Sequence, residues 1–430
     1  MRLHALNVLA YALLSVALPS TVHPYQQKYD LQKFHIDLDS RRMVDLIRQT
    51  RLPKSPEYPN LGATAGIDLD VLKSMQKQWV TSFDWPKEQA SLNRFNHFTA
   101  HIEGLRIHFV HEKASDPDAI PLILCHGWPG SFLEFEPIIK SLAEQAQTST
   151  NKSISFNVVV PSLPGLAFSS APPANWTIDD TARVYHTLMT KVLGYKTFAV
   201  FGTDWGCGPS FGLYRDYTAS TRAAHFAFIP FLPSTSEELK SDNITLNSLE
   251  EFEEATSEAW LTTGNAYFAE HSTKPNTIRL ALYDNPVGQL AWIDSDPRAG
   301  TGPSLLTHDA ILRSVSLYYL TESFVSSIFL YYQNLLDGLH PTYIKAQTDA
   351  PMLFSAFKYN IAFWHKEKVA TVGNLVQYRS ESIQIFFNKL IPIANNGDIT
   401  DHDFGGHFPG VDNPPALLED LREIGTFWEG

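Results

Sequence analysis

The chain has few cysteines and no basic patch. The first shortage limits how the fold can be stabilised, and the second limits which partners the chain can bind. Only Cys125 and Cys207 are present among 430 residues, so no disulfide framework holds the fold together. We expect both to be buried thiols near the active site. The formal charge is -13, with acidic residues spread along the chain rather than gathered in a tail, which argues against nucleic acid as a partner.

The N-terminus carries the only segment with the layout of a targeting signal. The apolar run from Leu3 to Leu18 is too short to span a membrane comfortably, since about 17 apolar residues is the lower limit for a spanning helix. Residues 1–20 are predicted to be a cleaved signal peptide, with a short signal anchor as the alternative. Sequons at Asn151, Asn175 and Asn243 fit a secreted or endoplasmic-reticulum glycoprotein, although chance supplies some such sites.

Apolar runs alternate with helical stretches along most of the chain, which predicts an α/β fold with a parallel sheet. The helix Thr177 to Leu193 carries capping residues at its start. The predicted strands are Ile107 to His111, Leu122 to Cys125, Val158 to Val160, Phe198 to Phe201, Phe226 to Ile229 and Met352 to Phe357.

The pattern changes on both sides of the central strands. A long, aromatic-rich and mainly helical stretch follows Ile229, which predicts a helical cap at 230–346 inserted into a core formed by 107–229 and 347–430. Residues 21–106 are too irregular for a strand-first domain, and we expect them to form an N-terminal arm packed on the core.

The segment Gly202 to Gly206 contains the predicted catalytic nucleophile. It follows a predicted strand and has the nucleophile-elbow pattern small-x-nucleophile-x-small, with Asp204 in the place that serine usually occupies. The turn from strand to helix is so tight that glycine is needed at both flanks. A serine version of the same pattern, Gly208 to Gly212 around Ser210, is rejected because no strand precedes it and it falls inside the following helix.

Two further segments complete the predicted machinery of an α/β-hydrolase fold. The loop from His126 to Gly130 follows a strand and offers the Trp128 N–H as one oxyanion-hole donor, with the Trp205 N–H as its partner. His407, flanked by Gly405 and Gly406, comes late in the chain, as the order of nucleophile, acid and histidine requires.

An aspartate nucleophile limits the reactions that the site can catalyse. Attack on a carbonyl would give an unproductive anhydride, whereas attack on a saturated carbon gives an ester that histidine and water can cleave, without metal or cofactor. The leaving group is either an epoxide oxygen, protonated by hydroxyl donors, or a halide, bound by indole N–H groups such as those of Trp128 and Trp205. The predicted cap is dense in tyrosines that could donate to an epoxide, namely Tyr267, Tyr283, Tyr318, Tyr319, Tyr331 and Tyr332.

From about Phe34 onward, these residues resemble the microsomal and juvenile-hormone type of epoxide hydrolase. That resemblance implies an α/β-hydrolase core, an inserted helical cap and an N-terminal meander, with Tyr267 and Tyr331 as the ring-opening pair and Tyr332 as the fallback for the second. The matching segments are Arg51 to Pro53, Phe83 to Trp85, Leu92-Asn93, Ile102 to Leu105, His108 to His111, His126 to Ser131, Glu134-Phe135, Pro161 to Gly165, Gly202 to Gly206, Thr273 to Pro275, Asn285 to Gly288 and Gly405 to Phe408.

The chain departs from that family at the charge-relay acid. The family's acid should lie just past Phe357, where this chain has Asn360, an amide that orients the imidazole without stabilising its charge. Another carboxylate is the alternative, and the nearby ones are Glu367, Glu381, Asp401 and Asp403. The stretch 379–400 is also about twenty residues longer than the family's usual path, which fits either a genuine loop or a retained intron.

Three functions follow as hypotheses. The first is hydrolysis of a lipophilic epoxide, terpenoid, fatty or foreign, to a vicinal diol. The second is haloalkane dehalogenation on the same fold. The third is a catalytically weakened relative that binds an apolar ligand or stalls as the ester because of Asn360. The expected partners are substrate and water, and the sequence leaves peripheral membrane association and a homodimer open.

Overall fold

A computed structural model of the protein describes residues 28–58, 65–294, 306–334, 340–380, 402 and 404–429. The predicted signal peptide lies outside the described residues, as does nearly all of the additional stretch 379–400. Within the described residues, no helix is both long and apolar enough to cross a membrane.

A nine-stranded mixed sheet forms the core, in the order β1-β2-β3-β7-β4-β8-β9-β10-β11, with β5 and β6 as a separate pair. The strands are β1 (Gln32–Lys33), β2 (His97–Ile102), β3 (Leu105–Glu112), β4 (Ile120–Cys125), β5 (Ala146–Gln147), β6 (Ser153–Ile154), β7 (Phe156–Pro161), β8 (Phe198–Gly202), β9 (Thr221–Phe226), β10 (Pro351–Ser355) and β11 (Asn374–Arg379).

The predicted parallel sheet is present from β7 to β11, while β1, β2, β3 and β7 pair antiparallel. Every residue of β8 is buried, as expected for a strand covered on both faces. Parallel neighbours end at the same sheet edge, so the loops after β4, β8 and β10 meet there.

The strand prediction at Phe226 to Ile229 is wrong, because β9 ends at Phe226. The apolar run continues beyond the sheet, where Phe228 packs against Trp364 and His407 with ring centroids 4.5 and 5.1 Å apart. Burial at the site, rather than strand pairing, accounts for these hydrophobic residues. Strands β1, β2, β5, β6 and β11 are not among those predicted from the sequence.

Helices cover the sheet and form the insertion between β9 and β10. They are α1 (Arg41–Gln49), α2 (Leu69–Thr81), α3 (Trp85–Leu92), α4 (Glu136–Ala143), α5 (Ile178–Thr187), α6 (Cys207–Asp216), α7 (Ser236–Ser241), α8 (Ser248–Ala259), α9 (Ala266–Thr273), α10 (Pro275–Leu282), α11 (Pro286–Asp294), α12 (His308–Leu320), α13 (Ser323–Ser327), α14 (Phe329–Gln333), α15 (Lys366–Val369), α16 (Pro409–Asp412), α17 (Pro414–Arg422) and α18 (Ile424–Phe427).

The predicted helix Thr177 to Leu193 is found as α5 followed by a π-helical turn at Leu188–Val192. Thr177 is the N-cap, and its side chain exchanges hydrogen bonds with Asp180 in a capping box. The N-cap residue Thr177 therefore determines where α5 starts, as the sequence predicts.

The N-terminal helices contact the insertion as well as the core. Trp79 of α2 donates its indole N–H to the Ser316 hydroxyl of α12 at 2.9 Å, and Arg42 of α1 forms an ion pair with Asp284. Helix α12 and the turn before α11 are thus supported from the N-terminal side.

Candidate active site

The elbow predicted at Asp204 has the backbone that such a turn requires. β8 ends at Gly202, a 3₁₀ turn covers Asp204–Gly206, and α6 begins at Cys207. Asp204 has φ +45°, a left-handed conformation that a non-glycine residue rarely adopts. A Cβ on Gly206 would lie 2.1 Å from the Cys125 carbonyl oxygen, so glycine is needed there. The strained turn presents the Asp204 side chain above the sheet.

Ser210, the centre of the rejected serine pattern, is fully buried within α6. Its hydroxyl donates to the Phe201 carbonyl oxygen at 3.1 Å. This hydrogen bond ties the helix to β8 and leaves Ser210 with a structural role.

The loop after β4 lies against the Asp204 carboxylate. The Trp128 N–H, predicted as an oxyanion-hole donor, donates to Asp204 Oδ1 at 2.6 Å. A Cβ on Gly127 would lie 1.8 Å from the same oxygen, so the close approach depends on glycine. Trp205, whose N–H is the second predicted donor, follows Asp204 directly in the 3₁₀ turn.

His407 lies between the nucleophile and the amide at position 360. Its Nε2 is 2.9 Å from Asp204 Oδ2, and its Nδ1 is 2.9 Å from Asn360 Oδ1. The ring is 4% exposed and packs between Phe228 and Phe408. The ring is thus shielded from solvent, and its two nitrogens are directed at these partners.

Asn360 is fixed in one orientation by a second hydrogen bond. Its Nδ2 donates to the Ala227 carbonyl oxygen at 3.0 Å, which leaves Oδ1 to accept from His407. Glu367, a predicted alternative, is exposed on α15, and neither of the two His407 ring contacts above involves it. The other predicted alternatives, Glu381, Asp401 and Asp403, lie outside the described residues.

Tyr267 of α9 and Tyr331 of α14 line the same cavity as Asp204, a space of about 400 Å³. Their ring centroids are 6.0 Å apart, and Trp128 stacks on Tyr267 at 5.5 Å. The structure thus brings together the tyrosine pair and the carboxylate. The remaining lining residues are Trp205, Cys207, Gly208, Phe228, Trp260, Phe268 and Ile361.

The other tyrosines of the predicted set lie elsewhere. Tyr332, the fallback, is 55% exposed and does not line this cavity, and Tyr283 is 50% exposed. Tyr318 donates to the Gly130 carbonyl oxygen at 2.8 Å, and Tyr319 donates to Asp284 at 2.8 Å. Only Tyr267 and Tyr331 of that set reach the cavity.

A larger cavity, of about 590 Å³, lies across the loop of Trp128 and is not lined by Asp204. The predicted nucleophile and tyrosine pair line the smaller cavity and not this one. Glu134 forms part of the wall of the larger one.

Glu134 is a buried acid whose position sequence reasoning missed. Burial raises the pKa of its carboxyl well above the ordinary value, and the nearby charge of Asp204 raises it further. The neutral form avoids a second negative charge beside the nucleophile. Its place in the matched motif after the Trp128 loop was the available signal, but no local pattern shows that this carboxyl points inward.

The two cysteines are unpaired and buried, as expected. Burial raises the pKa of Cys125 to about 12 and that of Cys207 well above its ordinary value, so both are neutral thiols. Across the part of the chain that the structure describes, no group of three or more histidine, cysteine and acidic residues could hold a metal ion.

Comparisons with known proteins agree with this arrangement. The family description "Epoxide hydrolase N terminus" matches residues 31–135, and "alpha/beta hydrolase fold" matches residues 120–263. A Stigmatella aurantiaca protein provisionally named as an epoxide hydrolase is 30% identical over 91% of this chain and 83% of its own length.

Solved structures show the same likeness. Aspergillus niger epoxide hydrolase superposes with a TM-score of 0.73 at 32% identity, covering 92% of this chain and 96% of that chain. The juvenile hormone epoxide hydrolase of the silkworm Bombyx mori superposes with a TM-score of 0.72 at 25% identity, covering 93% and 95%. Fold, sequence and site geometry agree, and this chain belongs to the epoxide hydrolase family of the α/β-hydrolase fold.

Proposed function

We propose that this chain converts a lipophilic epoxide to a vicinal diol through a covalent ester on Asp204. The observation that best supports this reaction is the shared cavity of Asp204, Tyr267 and Tyr331. A carboxylate can attack a saturated carbon there while phenol groups are at hand for the leaving oxygen. The aromatic lining favours an apolar substrate.

In the first step, Asp204 opens the ring. The Trp128 N–H holds Oδ1, so Oδ2 is the attacking oxygen and forms a bond to one epoxide carbon. The carbon–oxygen bond of the ring breaks, and Tyr267 or Tyr331 gives its proton to the departing oxygen. The products are an ester carrying a neighbouring hydroxyl and a tyrosinate.

In the second step, His407 takes a proton from water, and the resulting hydroxide attacks the ester carbon of Asp204. The N–H groups of Trp128 and Trp205 stabilise the oxyanion. The tetrahedral intermediate then breaks the bond between the ester carbon and the substrate oxygen, and the proton left on the added hydroxyl passes to that oxygen. The diol is released, and the restored carboxylate keeps one oxygen from water. The proton on His407 then returns to the tyrosinate, so the site is regenerated without a cofactor.

Asn360 supports a second candidate, a weakened enzyme in which the ester persists. The amide oxygen orients His407 but carries no charge to stabilise the imidazolium formed during water attack. Ester hydrolysis should therefore be slower than ring opening. The buried apolar cavity would in that case hold its ligand as a long-lived ester.

The geometry engages one of the two indole donors that the dehalogenase hypothesis needs. The Trp128 Nε1–H donates to the Ser327 hydroxyl at 3.2 Å, whereas Trp205 lines the cavity. This contact directs the indole donor of Trp128 away from a leaving group. Epoxide opening, which uses the tyrosine hydroxyls, is better matched to the lining.

Intact-protein mass spectrometry after one turnover with styrene oxide tests the proposal. We expect an adduct on Asp204 in the native protein and none in Asp204→Asn. Asp216→Asn replaces an exposed carboxylate paired with Arg215; this variant is the control and should behave as the native chain does. A folded native protein that yields neither adduct nor diol refutes epoxide hydrolysis for this substrate class.

We also propose that the chain enters the secretory pathway and carries N-linked glycans. Asn151, Asn175 and Asn243 are all exposed, so each sequon is accessible to a glycan. Expression in a secreting eukaryotic host, followed by glycosidase treatment, should lower the apparent mass. A mass unchanged by the glycosidase in secreted protein contradicts glycosylation.

A further inference from the structure

Asp420, on helix α17, is a fully buried carboxylate outside the reaction cavity. It accepts hydrogen bonds from the Ser355 hydroxyl, from His402 Nε2 at 2.6 Å and from Arg379 Nη1 at 2.7 Å. The pKa of Asp420 lies below its ordinary value because His402 and Arg379 outweigh the effect of burial, so the group is an anion.

Two of these donors have the same spacing in sequence from the residues of the His407–Asn360 pair. Ser355 is the last residue of β10 and precedes Asn360 by five residues, and His402 precedes His407 by five residues. Each donor therefore lies at the start of a loop that contains one member of the His407–Asn360 pair. Asp420 forms hydrogen bonds with the first residue of both loops.

The two loops also run alongside each other between Asp420 and the site. The Lys358 N–H donates to the His402 carbonyl oxygen at 3.2 Å, and the Tyr359 N–H donates to the Gly405 carbonyl oxygen at 3.3 Å. The ring of His402 packs on Phe357 with centroids 4.7 Å apart. A shift of either loop along the other would therefore move Asn360 relative to His407.

We propose that Asp420 is a positioning residue that holds the Asn360 and His407 loops in register and so maintains the hydrogen bond between them. The role rests on the proposed function, because the His407–Asn360 contact acts in water attack on the ester. Ring opening needs Asp204 and the cap tyrosines, and Asp420 touches none of them. Loss of the Asp420 charge should therefore slow ester hydrolysis selectively.

Glu423 supplies a matched control. It is also a buried carboxylate near Arg379, at 3.8 Å, but it accepts hydrogen bonds from the Ser149 N–H at 2.6 Å, the Ser149 hydroxyl at 2.7 Å and the Thr426 hydroxyl at 3.0 Å. Its replacement changes a buried carboxylate that accepts three hydrogen bonds, as Asp420 does, without touching either site loop. A purely structural role for Asp420 would make the two replacements behave alike.

Rapid-quench mass spectrometry of the full chain with styrene oxide separates ester formation from ester hydrolysis. We expect Asp420→Asn to slow hydrolysis by about tenfold or more, since a misplaced catalytic group costs up to about a hundredfold, and to change ester formation by less than about twofold. Glu423→Gln should change neither step by more than about twofold. Equal effects of the two replacements, or equal effects of Asp420→Asn on both steps, would overturn the proposal.

A second variant and a second readout keep the test decisive. If Asp420→Asn does not fold, Ser355→Ala takes its place, with a smaller selective loss in hydrolysis expected and equal loss in both steps contradicting the role. If the native protein forms no ester, the proposed function has failed by itself. Nitrogen-15 NMR of His407 then decides: Asp420→Asn should move the Nδ1 resonance and Glu423→Gln should not, and equal spectra would refute positioning.

Discussion

His407 Nδ1 lies 2.9 Å from Oδ1 of Asn360, and this contact fixes where the imidazole can carry its proton. The Asn360 amide nitrogen is engaged with Ala227, so Oδ1 can only accept and Nδ1 must donate. Nε2 faces Oδ2 of the Asp204 carboxylate at 2.9 Å. Once Asp204 is an ester, the neutral ring keeps its proton on Nδ1 and offers Nε2 as the base.

The first prediction concerns Asn360→Asp. A carboxylate at 360 stabilises the imidazolium formed during water attack, so ester hydrolysis should accelerate by about tenfold or more. The same change places an anion against the Ala227 carbonyl, so the free energy of unfolding should fall by about 1–3 kcal/mol. Stopped-flow kinetics and urea unfolding measure the two effects, with Asn360→Ala as the comparison that slows hydrolysis. Unchanged hydrolysis in Asn360→Asp would show that position 360 does not limit turnover.

The second prediction concerns the tyrosine pair. Tyr267→Phe and Tyr331→Phe each remove one donor to the leaving oxygen, so each should slow ester formation by roughly tenfold to a hundredfold. The double variant should form no measurable ester with styrene oxide. Tyr332→Phe removes an exposed hydroxyl and should react as the native protein does. A double variant that still opens the epoxide would remove the tyrosines from the mechanism.

The third prediction separates the two elbow patterns. Ser210→Ala removes the hydrogen bond to the Phe201 carbonyl and the contact with the Cys125 thiol, so diol formation should stay within about twofold of native while stability falls by about 1 kcal/mol. Thermal unfolding and steady-state diol formation check both parts. Loss of activity in a folded Ser210→Ala protein would revive the serine nucleophile.

The fourth prediction follows from the raised pKa of Glu134. The folded protein keeps this proton to a higher pH than the unfolded chain, so the free energy of unfolding falls as pH rises above the ordinary glutamate value toward the folded one. Glu134→Gln removes this pH-dependent fall in the free energy of unfolding, because glutamine does not ionise. Its stability relative to the native protein should therefore be greater near pH 8 than near pH 5 by urea unfolding. An identical difference at both pH values would contradict a neutral Glu134.

Short-range constraints account for what the sequence could predict. The elbow at Asp204, the donor loop at Trp128 and the cap of α5 each depend on neighbouring residues, so local patterns indicate them. The Asp420 cluster does not, because its members come from β10, β11, α17 and the loop of His402. The strand misplaced at Phe226 to Ile229 shows the same limit, since burial of Phe228 against His407 and sheet burial produce the same apolar run.

The covalent ester at Asp204 is the intermediate on which the proposed mechanism depends. The most direct measurement is a single turnover in ¹⁸O-labelled water with enzyme in excess over styrene oxide, followed by mass spectrometry of the diol and of the peptide containing Asp204. We predict that the Asp204 peptide gains one labelled oxygen and that the first diol released carries none, because water attacks the ester carbon. Label in that first diol, with an unlabelled Asp204, would mean that water opens the epoxide directly and would contradict the mechanism.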